Sequence, residues 1–225
     1  MVKKVRWTKK LTKLKPNRKL LYHEKKARKA GYHLIAGVDE AGRGPLAGPV
    51  VAASVVLKDL KVKFKNRIDD SKVLSPKARL KAYDEIRRKA FFGVGIIGEK
   101  KIDSLNIYKA TILTMEKAVK GLGIKPDLLL IDGNLKLKIP CKKVNICGGD
   151  SKSLSIACAS IIAKVTRDRI MEKYHKAYPH YGFKYHKGYG TKRHFEAISK
   201  YGPSPIHRMT FRPIKQDFPG MRRVF

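Results

Sequence analysis

Four carboxylates stand where side chains could do chemistry together. Asp39 and Glu40 end an apolar run, Ile35-Ala-Gly-Val, and precede Gly42-Arg43-Gly44. Asp132 ends a second run, Leu128-Leu-Leu-Ile, and Asp150 follows Gly148-Gly149. Taken singly, each reads as a solvated turn or a helix-entry residue. Gathered at one place they would repel and raise each other's pKa. A divalent cation removes that conflict. Mg²⁺ takes oxygen ligands, keeps several waters, and is usually held by one or two carboxylates plus a substrate phosphate. Two such ions ~4 Å apart stabilise both the attacking and the leaving oxygen of a phosphodiester displacement. The pattern therefore implies metal-dependent phosphoryl chemistry.

The rest of the chain suits a polyanionic substrate. Among 225 residues, Lys and Arg number 52 against 18 acids, a formal charge of +34. Such self-repulsion fits a polyanionic partner, with nucleic acid the first candidate and an anionic membrane the second. Charge alone would equally suit a basic binder without catalysis, but a binder needs no strand-end acids. No apolar run approaches the ~20 residues of a membrane span, and the N-terminus lacks an apolar signal region. Cys141, Cys147 and Cys158 lack zinc-type spacing and read as reduced, buried thiols. The expectation is a cytoplasmic monomer.

The elements that must position the acids follow from periodicity and punctuation. Residues 1–30 carry 13 Lys or Arg and one acid, Glu24. They read as a basic arm, with the first 15 mobile and a helix over 18–30 on a weak apolar face of Leu20, Leu21 and Ala27. Strands are predicted at 31–39, 50–57, 91–98, 127–132 and 142–147. The first two are antiparallel, since their connection is short. The unbroken apolar run before Asp132 suits a central strand covered on both faces. Neighbouring strand residues face opposite sides, so Asp39 and Glu40 share a site only if the strand ends or bulges there, which Gly42 and Gly44 make easy. Ser75-Pro76 starts a helix to about Lys89. A long helix is expected from Asp103 or Ser104 to Gly121. Ser151 or Ser153 caps another to about Ala177, and Thr191 caps a last one to about Lys200. Residues 201–225 read as a basic, proline-containing tail. This is one α/β domain over 31–225, a mixed five-stranded sheet flanked by helices with a C-terminal helical and loop segment.

The residues also resemble a family. Gly37-Val-Asp-Glu-Ala-Gly-Arg-Gly-Pro-Leu-Ala-Gly-Pro-Val-Val-Ala-Ala53 is similar to the signature of ribonuclease HII. So are Asp70-Ser71-Lys72, Leu105-Asn-Ile-Tyr-Lys-Ala-Thr111, Ile131-Asp-Gly-Asn134, Gly149-Asp150, the stretch Ala159–Asp168, and Tyr181-Gly-Phe with His186-Lys-Gly-Tyr189. The resemblance covers about residues 31–205. It implies a ribonuclease H-like fold and an endonuclease that cuts RNA within a duplex, leaving 3′-hydroxyl and 5′-phosphate ends. Its substrates would be RNA–DNA hybrids and DNA duplexes holding a ribonucleotide.

By that resemblance Asp39, Glu40, Asp132 and Asp150 are the catalytic carboxylates, binding two Mg²⁺ or Mn²⁺ ions. Asp39 would bridge the two ions, and Asp150 would complete the site of the ion that activates the attacking water. Glu40 and Asp132 would hold the ion near the leaving oxygen. Asp168, inside a helix beside Arg167 and Arg169, reads as structural. RNA differs from DNA at the 2′-hydroxyl, a donor and acceptor. Gly42 and Gly44 let backbone groups approach it closely, and Arg43 can reach a phosphate. In the family this loop reads the ribonucleotide, and the residue matching Tyr189 packs on the sugar after the scissile step, favouring RNA-to-DNA junctions. Lys72, and also Lys164 and Lys187, are candidates for phosphate contacts.

Overall fold

The computed structural model describes residues 20–217. Its sheet has five strands: β1 (Ile35–Ala41), β2 (Val50–Leu57), β3 (Ala90–Ile97), β4 (Leu128–Asp132) and β5 (Lys142–Ile146). Their order is β3-β2-β1-β4-β5. The pairs β1–β2 and β2–β3 are antiparallel, whereas β1–β4 and β4–β5 are parallel. The sheet is therefore mixed, as expected. β1 begins later than periodicity suggests because the amides of His33 and Leu34 donate to the Asp127 carboxylate instead of entering the ladder.

Among the described residues, the helices of seven residues or more are α1 (Tyr22–Lys29), α2 (Pro76–Lys89), α3 (Glu99–Leu105), α4 (Ile107–Lys120), α5 (Leu154–Ala177) and α6 (Lys192–Tyr201). The caps Ser75, Ser153 and Thr191 accept from the amides of Ala78, Ile156 and His194. The single helix expected over 103–121 is two. Asn106 adopts φ 68° and caps α4 by accepting from the Lys109 amide at 3.0 Å. With ψ at 163° this is a backbone conformation rarely adopted outside glycine, and the cap bond helps hold it.

One face of the sheet packs on α5 and α2, burying Val55, Leu57, Ile86, Cys158 and Ile161. The other packs on α4, burying Ala36, Val38, Met115 and Ile131. Helix α5 lies unusually close to β1: a Cβ on Gly37 would sit 2.2 Å from the carbonyl carbon of Ser155. Only glycine permits that approach.

The described part of the basic arm is packed, with Leu20, Leu21, Glu24 and Ala27 all buried. Glu24 Oε1 accepts from the Ser153 hydroxyl at 2.6 Å and the Ser155 amide at 2.9 Å. The expected mobile stretch and the last residues of the expected tail lie outside the described residues. The described part of that tail is built into the fold, where Ile206, His207, Arg208 and Ile214 are buried. Cys158 is buried as expected, but Cys147 is exposed. Among the described residues, no helix is long and apolar enough to cross a membrane.

Candidate active site

The acids gather where the pairing of β1 with β4 runs out. The last paired residues of these parallel strands are Val38 and Ile131, so Asp39 and Asp132 are each one step further along. Contrary to expectation, β1 neither ends nor bulges at Asp39: regular pairing continues through Ala41 opposite Val51. Asp39 and Glu40 therefore leave the strand on opposite faces. They meet electrostatically because β1 runs on past its last pair with β4, Val38–Ile131, and is left open on that side.

Asp39 is buried on the α5 face. It accepts from the Glu40 amide at 2.7 Å and from the Ser160 hydroxyl of α5. Burial pushes its carboxyl well above the usual range, with Glu40 and then Asp132 adding to the rise. Glu40 is raised too, first by burial, with Asp132 adding and Arg43 opposing. Its Oε1 meets Arg43 at 3.3 Å, while its Oε2 is buried without a hydrogen-bond partner.

Asp150 sits in a short 3₁₀ turn, Gly149–Ser151, entered through Gly148 at φ 63°. Burial raises its carboxyl, helped by Asp70 and Asp132. The turn reaches back to β4, where the Gly149 amide donates to Asp132 Oδ1 at 2.6 Å. Lys72 faces all of this. Burial works against its ammonium, but Asp70, Asp150, Asp39 and Asp132 together outweigh it and raise its pKa.

Beside the acids opens a cleft of about 490 Å³ lined by Glu40, Gly42, Arg43, Gly44, Lys72, Lys164 and Tyr189. All five residues expected to bind substrate are thus on one wall system. Tyr189 is 45% exposed, and a Cβ on Gly44 would lie 3.7 Å from its ring, so the ring stands over the glycine loop. Lys164 and Lys187 are engaged elsewhere, by Asp168 at 2.7 Å and Glu172 at 2.8 Å. Asp168 also meets Arg79 at 3.2 Å and works as a bracket between helices.

The donor set suits a hard divalent cation, being all carboxylate oxygen, with one buried oxygen unpartnered and three carboxyls strained by like charge. Among the described residues, no group of three or more acidic, His or Cys side chains stands close enough together to hold a metal ion, so an ion here would take one or two carboxylates and the rest of its shell from waters and a substrate phosphate.

Sequence reasoning missed several supporting residues. Ser160 binds Asp39, and its hydroxyl lies 3.0 Å from that of Ser71. Asp70 acts on both Asp150 and Lys72. Buried Arg167 holds the carbonyls of Ala47, Pro49 and Lys187. Ser160 carried one legible signal, a polar residue on an otherwise small and apolar helix face.

Residues 36–214 match the family model for ribonuclease HII. The chain is 52% identical over 197 residues to ribonuclease HII of Bacillus pumilus, covering 87% of this chain and 76% of the relative. It is 55% identical over 192 residues to the enzyme of Acetivibrio thermocellus, covering 84% and 73%. Among solved structures, ribonuclease H2 of Pyrococcus horikoshii superposes with a TM-score of 0.70 at 29% identity, covering 82% of this chain and 96% of that one. The fold, the matched residues and these relatives agree: the chain belongs to the ribonuclease HII family, and is a ribonuclease H, a hydrolase that cuts the RNA of RNA–DNA hybrids internally.

Proposed function

We propose that the enzyme also cuts 5′ of single ribonucleotides embedded in duplex DNA, leaving 3′-hydroxyl and 5′-phosphate ends. The observation that carries this reading is the cleft in which Gly42-Arg43-Gly44 and Tyr189 stand together beside the acids. A loop of glycines offers backbone groups to a 2′-hydroxyl, and an aromatic ring offers a platform for the neighbouring sugar.

Asp39, Glu40, Asp132 and Asp150 are the residues that would hold two Mg²⁺ or Mn²⁺ ions. When bound, the ions supply charge stabilisation to the attacking and leaving oxygens. The chain's own part is preorganisation. Ser160 and the Glu40 amide aim Asp39. The Gly149 amide aims Asp132. Lys72 tempers the acids and is placed to meet a phosphate as its charge develops. Arg43 has only a long bond to Glu40 to give up before it reaches the backbone. The catalytic unit is residues 31–225 together with the helix Tyr22–Lys29 packed against them, working as a monomer in the cytoplasm, where free thiols such as the exposed Cys147 stay reduced; the basic residues within 1–30 serve the duplex backbone.

The test is cleavage of a duplex holding one ribonucleotide against a long RNA–DNA hybrid, with Mg²⁺ or Mn²⁺ and with chelator. Metal-dependent cutting of the first on the 5′ side of the ribonucleotide is expected. Cutting of the hybrid alone would remove the junction activity.

A further inference from the structure

We propose that the segment Ser204–Arg208 is a positioning element that holds Tyr189 and the Gly42-Arg43 turn in one frame, with Arg208, His207 and His194 as positioning residues. The inference rests on the junction reading above.

Arg208 is fully buried. Its Nη2 donates to the Gly42 carbonyl at 2.6 Å and its Nη1 to the Arg43 carbonyl at 2.8 Å. Nε and Nη2 both reach the Gly48 carbonyl, at 3.0 and 2.8 Å. The guanidinium thus grips the turn at both ends through main-chain oxygens, using the fork geometry that a lysine lacks. The backbone reinforces the grip. The Arg208 amide donates to Leu46 and the Gly48 amide to Ile206, both at 2.8 Å, around an antiparallel bridge between Ala47 and His207.

Residues next to each other in an extended pairing point to opposite sides. Arg208 goes to the glycine turn, and His207 goes the other way, to His194. His194 Nδ1 lies 2.8 Å from the Tyr189 carbonyl, and His194 Nε2 lies 3.0 Å from His207 Nε2. A carbonyl only accepts, so His194 carries its proton on Nδ1 and accepts on Nε2. His207 must then donate from Nε2 and accept on Nδ1. Its Nδ1 does receive the Ser204 amide at 2.8 Å, with the Ser204 hydroxyl also at 2.8 Å. The Ser204 carbonyl also lies 3.3 Å from that Nδ1, but the shorter amide bond and the Tyr189 carbonyl at His194 favour the arrangement with both rings neutral. Burial agrees, pushing His194 down to about 4. His186 stacks on His194 with centroids 4.4 Å apart. Asp103 of α3 anchors the far end by accepting from the amides of Met209 and Thr210.

The element thus links the residue that packs on the sugar to the turn that reads the ribonucleotide. Loosening it should blur register at a junction more than it impairs cutting of a uniform hybrid. Misplacement by ~1 Å can cost ~100-fold. Arg208→Lys and His194→Phe are expected to lower kcat/KM on the single-ribonucleotide duplex about tenfold more than on the long hybrid. His194→Asn, whose side-chain amide can still donate to the Tyr189 carbonyl, should keep most of the preference. In a Tyr189→Ala background, His194→Phe should change the preference no further. Equal losses on both substrates in step with lowered Tm, or no rescue by His194→Asn, would overturn the positioning role. Should Arg208→Lys fail to fold, the His194 series with the Tyr189→Ala cycle decides alone. Wild-type enzyme with no junction preference overturns the junction reading and this inference together. A wild-type preference retained in the variants overturns this inference only.

Discussion

The Gly149 amide donates to Asp132 Oδ1 at 2.6 Å, and a Cβ on Gly149 would stand 3.2 Å from that same oxygen and 2.6 Å from Ile156 Cδ1. The turn carrying Asp150 therefore touches the end of β4 closely enough that one acid is aimed by the neighbour of another. Groups that orient ligands are typically worth ~10–100-fold in metal affinity or activity. Gly149→Ala is expected to fold, to cut ~10–100-fold more slowly, and to recover partly at higher Mg²⁺. Asp132→Asn removes the oxygen itself, and its loss should exceed ~100-fold. Single-turnover rates across a metal titration check both. Full-rate cleavage by Asp132→Asn would take Asp132 out of the site.

Asp39 is held against its preference. Its carboxyl is raised by burial and by Glu40 and Asp132, so its charge costs the metal-free fold stability. Asp39→Asn removes the charge and keeps an oxygen for the Ser160 hydroxyl. With chelator present, its Tm should rise by about 2–4 °C for each kcal/mol relieved, while cleavage is abolished. Calorimetry on matched samples measures this, and a lower Tm would show that the contacts of Asp39 outweigh the repulsion.

Gly37 lets α5 lie against β1, and α5 in turn brings Ser160 to Asp39. A methyl group there would overlap the Ser155 carbonyl carbon at 2.2 Å. Backbone cannot swing aside as a side chain can. Gly37→Ala should cost about 3 kcal/mol or more, read as a lowered urea midpoint at unchanged m-value.

His194 sets a pH window. In the folded state it titrates at about 4 rather than the usual 6.5, because burial disfavours the imidazolium. Between those values the unfolded chain binds the extra proton, so stability falls as pH drops. The contribution is complete above about 6.5 and is lost on the way to about 4, by about 3 kcal/mol in all. The raised carboxyls of Asp39, Glu40 and Asp150 act in the opposite sense. Subtracting the stability curve of His194→Asn from that of wild type isolates the ring. The difference should shrink from pH 6.5 to 4, and a flat difference would contradict a neutral buried ring.

The formal charge of +34 makes substrate docking a matter of counterion release. The logarithm of affinity should fall linearly with the logarithm of salt, with a slope of about −0.9 for each phosphate neutralised on duplex DNA. Binding titrations with Ca²⁺ in place of Mg²⁺ measure the slope. A flat response would remove the basic surface as the docking face.

Much of the molecule was legible because its signals are local. The unbroken run before Asp132, the β2 stretch Val50–Leu57 and the caps Ser75, Ser153 and Thr191 each act over a few residues. The corresponding strands and helices form as those signals require. The four acids were legible as candidates because carboxylates at strand ends in so basic a chain need a reason. What only the tertiary structure decided depends on partners far away in the chain. Nothing local shows that Asp39 and Glu40 stay in a regular strand, since the meeting of their two sides depends on where the pairing with the distant β4 stops. Nothing marks Arg208 and His207 as parts of the site, since Arg208 binds carbonyls, which every residue carries, and His207 binds a ring whose place is set by packing. The residues that bear the chemistry are written in their types, whereas those that aim them are defined by position alone.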